Sequence, residues 1–209
     1  TDFFFDNNWT LCVGFFISDF ELDCFYNRSY IERHIMVDII YTRVIVQMKE
    51  LKKAGLGFVQ IFWGNGRGKT TSALGTALRA CGNGYRVHLV QFMKNGADSL
   101  DEQIPGEIKA LEQFSTFSYK RFGTGGWVIK QPTPAQIKAC QEALHYLSSS
   151  LSEYDIVIAD EILYAVQLGL LTEEDIISLI KEKPATTELI LTGSHKPYPR
   201  IFEHAHLVT

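Results

Sequence analysis

The sequence predicts an α/β protein: a parallel sheet with helices on both faces. Three observations point there. After Met48, short apolar runs alternate with segments of helical periodicity. Those runs are nearly continuous in apolar residues, as strands covered on both faces are. The glycine-bearing and acidic motifs sit where the runs end, and ligands of such sheets bind beyond the carboxyl ends of the strands.

The elements follow in order. Phe58-Val-Gln-Ile-Phe-Trp63 is a short apolar run ending in Gly64, and reads as a buried strand. A helix follows from about Thr71, with Ala73, Leu74, Ala77, Leu78 and Cys81 on one stripe, and Gly82-Asn83-Gly84 stops it. Arg86–Gln91 is the next strand; a polar region, a helix near Pro105–Phe114 and a third strand at Ser115–Phe122 come after it. Thr133-Pro134-Ala135-Gln136 is a helix start, with Thr133 as cap, Pro134 in the first helical position and Gln136 completing a capping box. Ile137, Cys140, Leu144, Leu147 and Leu151 form the buried stripe of that helix. Asp155–Asp160 is a fourth strand, apolar enough to lie beside the first. Thr172 caps a short helix whose first turn carries Glu173, Glu174 and Asp175, where acids suit the helix dipole. Pro184 ends it, Thr187–Thr192 is a fifth strand, and Gly193 opens its exit loop.

Bulk properties bound the function. At 209 residues, 46% hydrophobic and 21% charged, the chain is one ordinary globular domain. A net charge of −4 gives no overall attraction to nucleic acid or to an anionic membrane. Cys12, Cys24, Cys81 and Cys140 are too scattered for a disulfide framework or a zinc site, and a reducing cytoplasm suits them. No apolar stretch reaches the ~18 residues of a membrane span.

Residues 1–47 differ from the rest. They hold no Ala, Pro or Lys, and eleven of the 26 aromatics. Asp2, Asp6, Asp19 and Asp23 exclude a secretory signal, and the acid content excludes a transit peptide. The preferred reading is an over-long start, with Met48 as the true first residue and 48–209 as the functional domain. The alternative is a divergent extension that packs on the domain or on a partner.

The central motif is Gly64-Asn65-Gly66-Arg67-Gly68-Lys69-Thr70-Thr71, between a strand and a helix. Its glycines let backbone N–H groups turn toward phosphate oxygens, and the helix N-terminus adds partial positive charge. Lys69 would neutralise phosphate and the Thr70 hydroxyl would reach magnesium. The usual pattern has Gly five positions before Gly68; here that residue is Trp63, so Gly64 makes the opening turn. Asp160-Glu161 ends an apolar strand, where a carboxylate serves magnesium directly or through water. The fold is therefore P-loop NTPase-like (RecA-like), and the ligand is a nucleoside triphosphate, ATP with Mg2+. His88, His145, His195, His204 and His206 show no metal-ligand spacing.

From about Gly57 to Thr209 the chain resembles the phosphate-loop type of corrinoid adenosyltransferase, also called cob(I)alamin or cob(I)yrinic acid a,c-diamide adenosyltransferase. The resemblance rests on the loop and its helix ending Ala77-Leu78-Arg79-Ala80-Cys81-Gly82. It includes Val90-Gln91-Phe92-Met93-Lys94, Phe122-Gly123-Thr124-Gly125 with Trp127, Asp160-Glu161-Ile162, Leu191-Thr192-Gly193 and Ala205-His206-Leu207-Val208-Thr209. It implies a reaction in which Co(I) of a reduced corrinoid attacks the 5′ carbon of ATP and displaces triphosphate, in adenosylcobalamin biosynthesis or salvage. It implies that Gly64–Gly68 cradle the triphosphate, that Lys69 balances the leaving charge, and that Thr70 and Glu161, helped by Asp160, hold magnesium. Arg79 and Lys94 are candidate further anion contacts, and Trp127 a candidate to stack against the corrin. An electron donor such as a flavoprotein and a homodimeric state are also implied.

Two departures stand out. The family has Arg after Thr-Gly in the fifth strand's exit loop, where this chain has Ser194, and family members continue past Leu-Val-Thr with a basic tail. A small kinase or ATPase would use the same loop and carboxylates but yield ADP; a nucleotide switch would bind ATP without turnover.

Overall fold

The structure is a computed structural model that describes residues 55–94, 104–124 and 131–209, all within one compact unit, Gly55–Thr209. The expectations for residues 1–47, Gly125 and Trp127 lie outside the described residues.

Within that unit the elements run β1 (Val59–Phe62), α1 (Lys69–Gly82), β2 (Val87–Gln91), α2 (Gly106–Leu111), β3 (Phe117–Arg121), α3 (Pro134–Ser150), β4 (Ile156–Asp160), α4 (Ile162–Gln167), α5 (Glu173–Glu182), β5 (Glu188–Thr192), α6 (Pro199–Phe202) and β6 (Leu207–Val208). The strands form one sheet of order β3-β2-β4-β5-β1-β6, and every pairing in it is parallel. The expected α/β class is borne out. α4, α6 and β6 have no counterpart in the sequence reading: each is under two turns or only two residues long, too short for periodicity to register.

Helices cover both faces. On one, α1 buries Ala73, Leu74, Ala77, Ala80 and Cys81 against Val87, Leu89, Ile156, Ile158 and Ile190 of the sheet. On the other, α3 and α5 bury Ala143, Leu147, Ile176 and Leu179 against Val90, Val157, Leu189 and Leu191. Leu78 is corrected: it is 51% exposed. At about 100° per residue it falls some 40° beyond Leu74, outside the arc that faces the sheet. Both capping boxes form, Thr133 with Gln136 and Thr172 with Asp175.

The strand order carries a second correction. The Asp160 strand does not lie beside β1; β5 lies between them. Neighbour choice depends on how the crossovers run, and a strand's own apolarity carries no information about it. The interposed strand ends in Thr192, which becomes part of the site.

Candidate nucleotide site

β1 delivers the chain to Gly64, and α1 begins at Lys69 with Gly68 as its N-cap at φ 107. No side chain caps this end and no acid stands in its first turn. The leading N–H groups of a 14-residue helix therefore face outward with the positive end of its dipole, a setting suited to an anion. The Lys69 Nζ donates to the carbonyls of Gly64, at 2.7 Å, and Gly66, at 2.9 Å. Among the described residues, its hydrogen bonds are to loop backbone, and its charge also reaches Glu161. Asn65, Gly66, Arg67 and Thr71 are exposed around it.

Thr70 connects the loop to the acidic pair. Its hydroxyl donates to Asp160 Oδ1 at 2.8 Å. The same oxygen accepts from the Thr192 hydroxyl at 2.7 Å, and Oδ2 accepts from the Gln91 amide at 2.9 Å. Asp160 is fully buried, so those three donors from α1, β5 and β2 fix the carboxylate. The Gln91 Oε1 is buried with no hydrogen-bond partner among the described residues. Thr192 also accepts from the Glu161 N–H at 2.9 Å, so one hydroxyl holds both members of the acidic pair.

Glu161 is in left-handed conformation, at φ 64. Its carboxyl is pushed above the ordinary range, first by burial and next by the neighbouring Asp160. The charges of Lys94, Lys69 and His195 oppose the rise without cancelling it. The charged form of Glu161 is thus disfavoured, chiefly by burial and next by the neighbouring carboxylate. Met93, Glu161 and Ser194 are the non-glycine residues with positive φ among those described, and they follow β2, β4 and β5 in turn. Such conformations cost about 1–3 kcal/mol each and cluster at functional edges.

Gly64–Thr71, Asp160, Glu161 and Lys94 thus lie at one edge of the sheet. Arg79 does not: ten residues along α1, at ~1.5 Å rise each, place it about 15 Å from Lys69. Thr192 was missed as a site residue, because a threonine ending an apolar strand carries no signal until the strand order is known.

No group of three or more His, Cys, Asp or Glu among the described residues is arranged to hold a metal. A cation at this edge would rest on the Thr70 hydroxyl and the carboxylates of Asp160 and Glu161. That hard oxygen set is small enough to leave water in the shell, as magnesium prefers. A cation there would offset the burial and the neighbouring carboxylate that disfavour the charged form of Glu161, which makes the fit favourable. Among the described residues no helix is long and apolar enough to cross a membrane.

A parallel sheet with a glycine-rich loop feeding a helix from its β1 end places the chain in the class of P-loop NTPase-like proteins. The sequence model of the ATP:corrinoid adenosyltransferase BtuR/CobO/CobP family matches residues 55–209. A corrinoid adenosyltransferase of Escherichia coli (strain K12) is 34% identical over 139 residues, covering 66% of this chain and 67% of the relative. The corrinoid adenosyltransferase CobA of Salmonella typhimurium (strain LT2) matches with the same identity and coverage. One from Pseudomonas aeruginosa is 30% identical over 159 residues, 73% of each chain. This chain belongs to the ATP:corrinoid adenosyltransferase family.

Proposed function

We propose that the chain transfers the 5′-deoxyadenosyl group of ATP to Co(I) of a corrinoid. The observation that carries this is the joining of family membership to the Thr70–Asp160 contact, which ties the loop to the acidic pair. In the transfer, the Co(I) electron pair forms a bond to C5′, the C5′–O bond breaks, and triphosphate leaves with that bond's electrons. Co(I) is already a strong nucleophile, so the protein's task is orientation and charge compensation rather than acid–base work. The backbone of Gly64–Gly68 cradles the triphosphate, with Asn65, Gly66, Arg67 and Thr71 beside it. Lys69 exchanges its loop carbonyls for phosphate oxygens. Thr70, oriented by Asp160, and Glu161 would hold magnesium, which would supply charge neutralisation for the leaving group. Lys94 is placed to add positive charge on the same edge.

The functional unit we assign is 48–209, with a homodimer as the working assembly, a reducing cytoplasm as its setting and a reduced flavoprotein as the class of electron donor. Cys81 and Cys140, both free and buried, are at ease in that setting. The test incubates the protein with ATP and a chemically reduced corrinoid. The cobalt–carbon chromophore is expected to appear with one triphosphate per adenosyl group; ADP instead would indicate a kinase or ATPase.

A further inference from the structure

The exit loop of β5 braces the phosphate loop from the side. Gly64 donates its N–H to the Ser194 carbonyl at 3.0 Å, and Gly193 donates to the Phe62 carbonyl at 3.1 Å. Those two bonds set the direction in which the chain leaves β1. Ser194 is 1% exposed and sits at φ 67, a conformation that neighbours must enforce.

Part of that enforcement is local. The Lys196 N–H donates to Ser194 Oγ at 2.9 Å, and Ser194 Oγ lies 2.6 Å from the Lys196 carbonyl. A further part comes from α4. Gln167, its last residue, accepts from the His195 N–H at 2.7 Å through Oε1. Ser194 Oγ is 3.3 Å from the same oxygen; with one hydroxyl proton to give and a nearer acceptor in Lys196, it is the weaker contact. The Tyr164 ring, also on α4, meets the His195 ring at 5.4 Å between centroids.

We infer that Gln167 is a positioning residue for the phosphate loop: it holds His195, hence the Ser194 carbonyl, hence the Gly64 N–H. The inference rests on the proposed triphosphate role of that loop. Glu161 is the N-cap of α4 and Gln167 its last residue, so one short helix joins the acidic side of the site to the brace of the phosphate side. The contact uses only the acceptor of the amide. A carboxylate can replace it, and a side chain of equal length without an acceptor cannot.

The experiment measures binding of inorganic tripolyphosphate and of Mg-ATP by calorimetry, and corrinoid KM by absorbance, on the full chain. Gln167→Ala and Gln167→Met are expected to weaken tripolyphosphate and ATP by the same factor, about fivefold to tenfold, as for loss of one hydrogen bond. Corrinoid KM should stay within twofold. Gln167→Glu, assayed in ~0.3 M salt to screen its added charge, should recover most of the lost affinity. Wild-type tripolyphosphate affinity in both the Ala and Met variants would overturn the inference. So would a lower Tm with unchanged affinity, or a Glu variant as weak as the Met variant. If wild-type protein itself binds neither tripolyphosphate nor ATP, the phosphate-loop reading fails and takes the inference with it.

Discussion

At Lys69, the ammonium rests on the carbonyls of Gly64 and Gly66, so its position is set by the loop it serves. Moving from those carbonyls to phosphate oxygens exchanges neutral acceptors for charged ones, and so adds the attraction of opposite charges to the hydrogen bonds. In the proposed transfer, its largest contribution would fall as C5′–O cleavage builds charge on the triphosphate. Lys69→Ala is therefore expected to lower turnover at least about 100-fold, the scale for one key electrostatic donor. Steady-state rates at saturating ATP and corrinoid check this, and near wild-type turnover would take the loop out of the mechanism. Lys69, Thr70, Asp160 and Glu161 are legible in the sequence because each belongs to a local pattern, a glycine loop or an acidic strand end. Thr192 appears only inside the Leu191-Thr192-Gly193 motif, with no role of its own to be read there, and Gln167 belongs to none. Their partners lie 32 and 28 residues away, and only the folded chain brings them together.

At the scale of elements, the local signals are reliable where one segment contains the whole device. Thr133 and Thr172 each close a capping box with a residue three positions on, so four residues suffice to read it. Devices made by two elements are hidden. The approach of the β5 exit to the start of α4 is one. A Cβ on Gly193 would stand 2.8 Å from the Tyr164 nitrogen and 3.1 Å from Glu161 Oε2, at a φ of +111 that side chains avoid. Gly193→Ala should therefore destabilise the fold by at least about 2 kcal/mol, from backbone strain and overpacking together. It should also displace Glu161, whose N–H is tied to Thr192 one residue earlier. Denaturant unfolding reads the first effect. The second is read as weaker Mg-ATP binding at a temperature where the variant stays folded. An Ala variant with wild-type stability would mean that the exit loop is free to move away from α4.

For the whole molecule, the sequence foretells a parallel sheet but not its order, and the interior polar contacts depend on that order. His88 on β2 shows how such a contact acts globally. It is 2% exposed. Its Nδ1 lies 2.7 Å from Ser118 Oγ on β3 and its Nε2 3.2 Å from the Tyr146 hydroxyl on α3, while the Tyr154 ring stacks on it at 4.5 Å. The Lys120 ammonium, 4.3 Å from the Tyr146 ring centroid, adds unfavourable charge. Burial first, with Lys120 adding and Ser118 opposing, lowers the imidazole pKa from 6.5 to about 4. The folded chain therefore keeps His88 neutral where the unfolded chain takes up a proton. Its contribution to stability is present above pH 6.5 and is lost as pH falls toward 4. At ~1.36 kcal/mol per pH unit the loss is roughly 3 kcal/mol. Glu161 and Glu188, whose carboxyls are raised mainly by burial, work in the opposite direction as pH falls, so the wild-type curve alone does not isolate the histidine. The measurement is the difference in unfolding free energy between wild type and His88→Phe, taken by denaturant titration at pH 7.5, 6, 5 and 4. That difference should shrink steadily below pH 6.5, because the variant has no proton to take up. A constant difference across the range would mean that His88 titrates alike in the folded and unfolded chains, and that the Ser118–His88–Tyr146 contacts do not bind the sheet to α3 through a neutral ring.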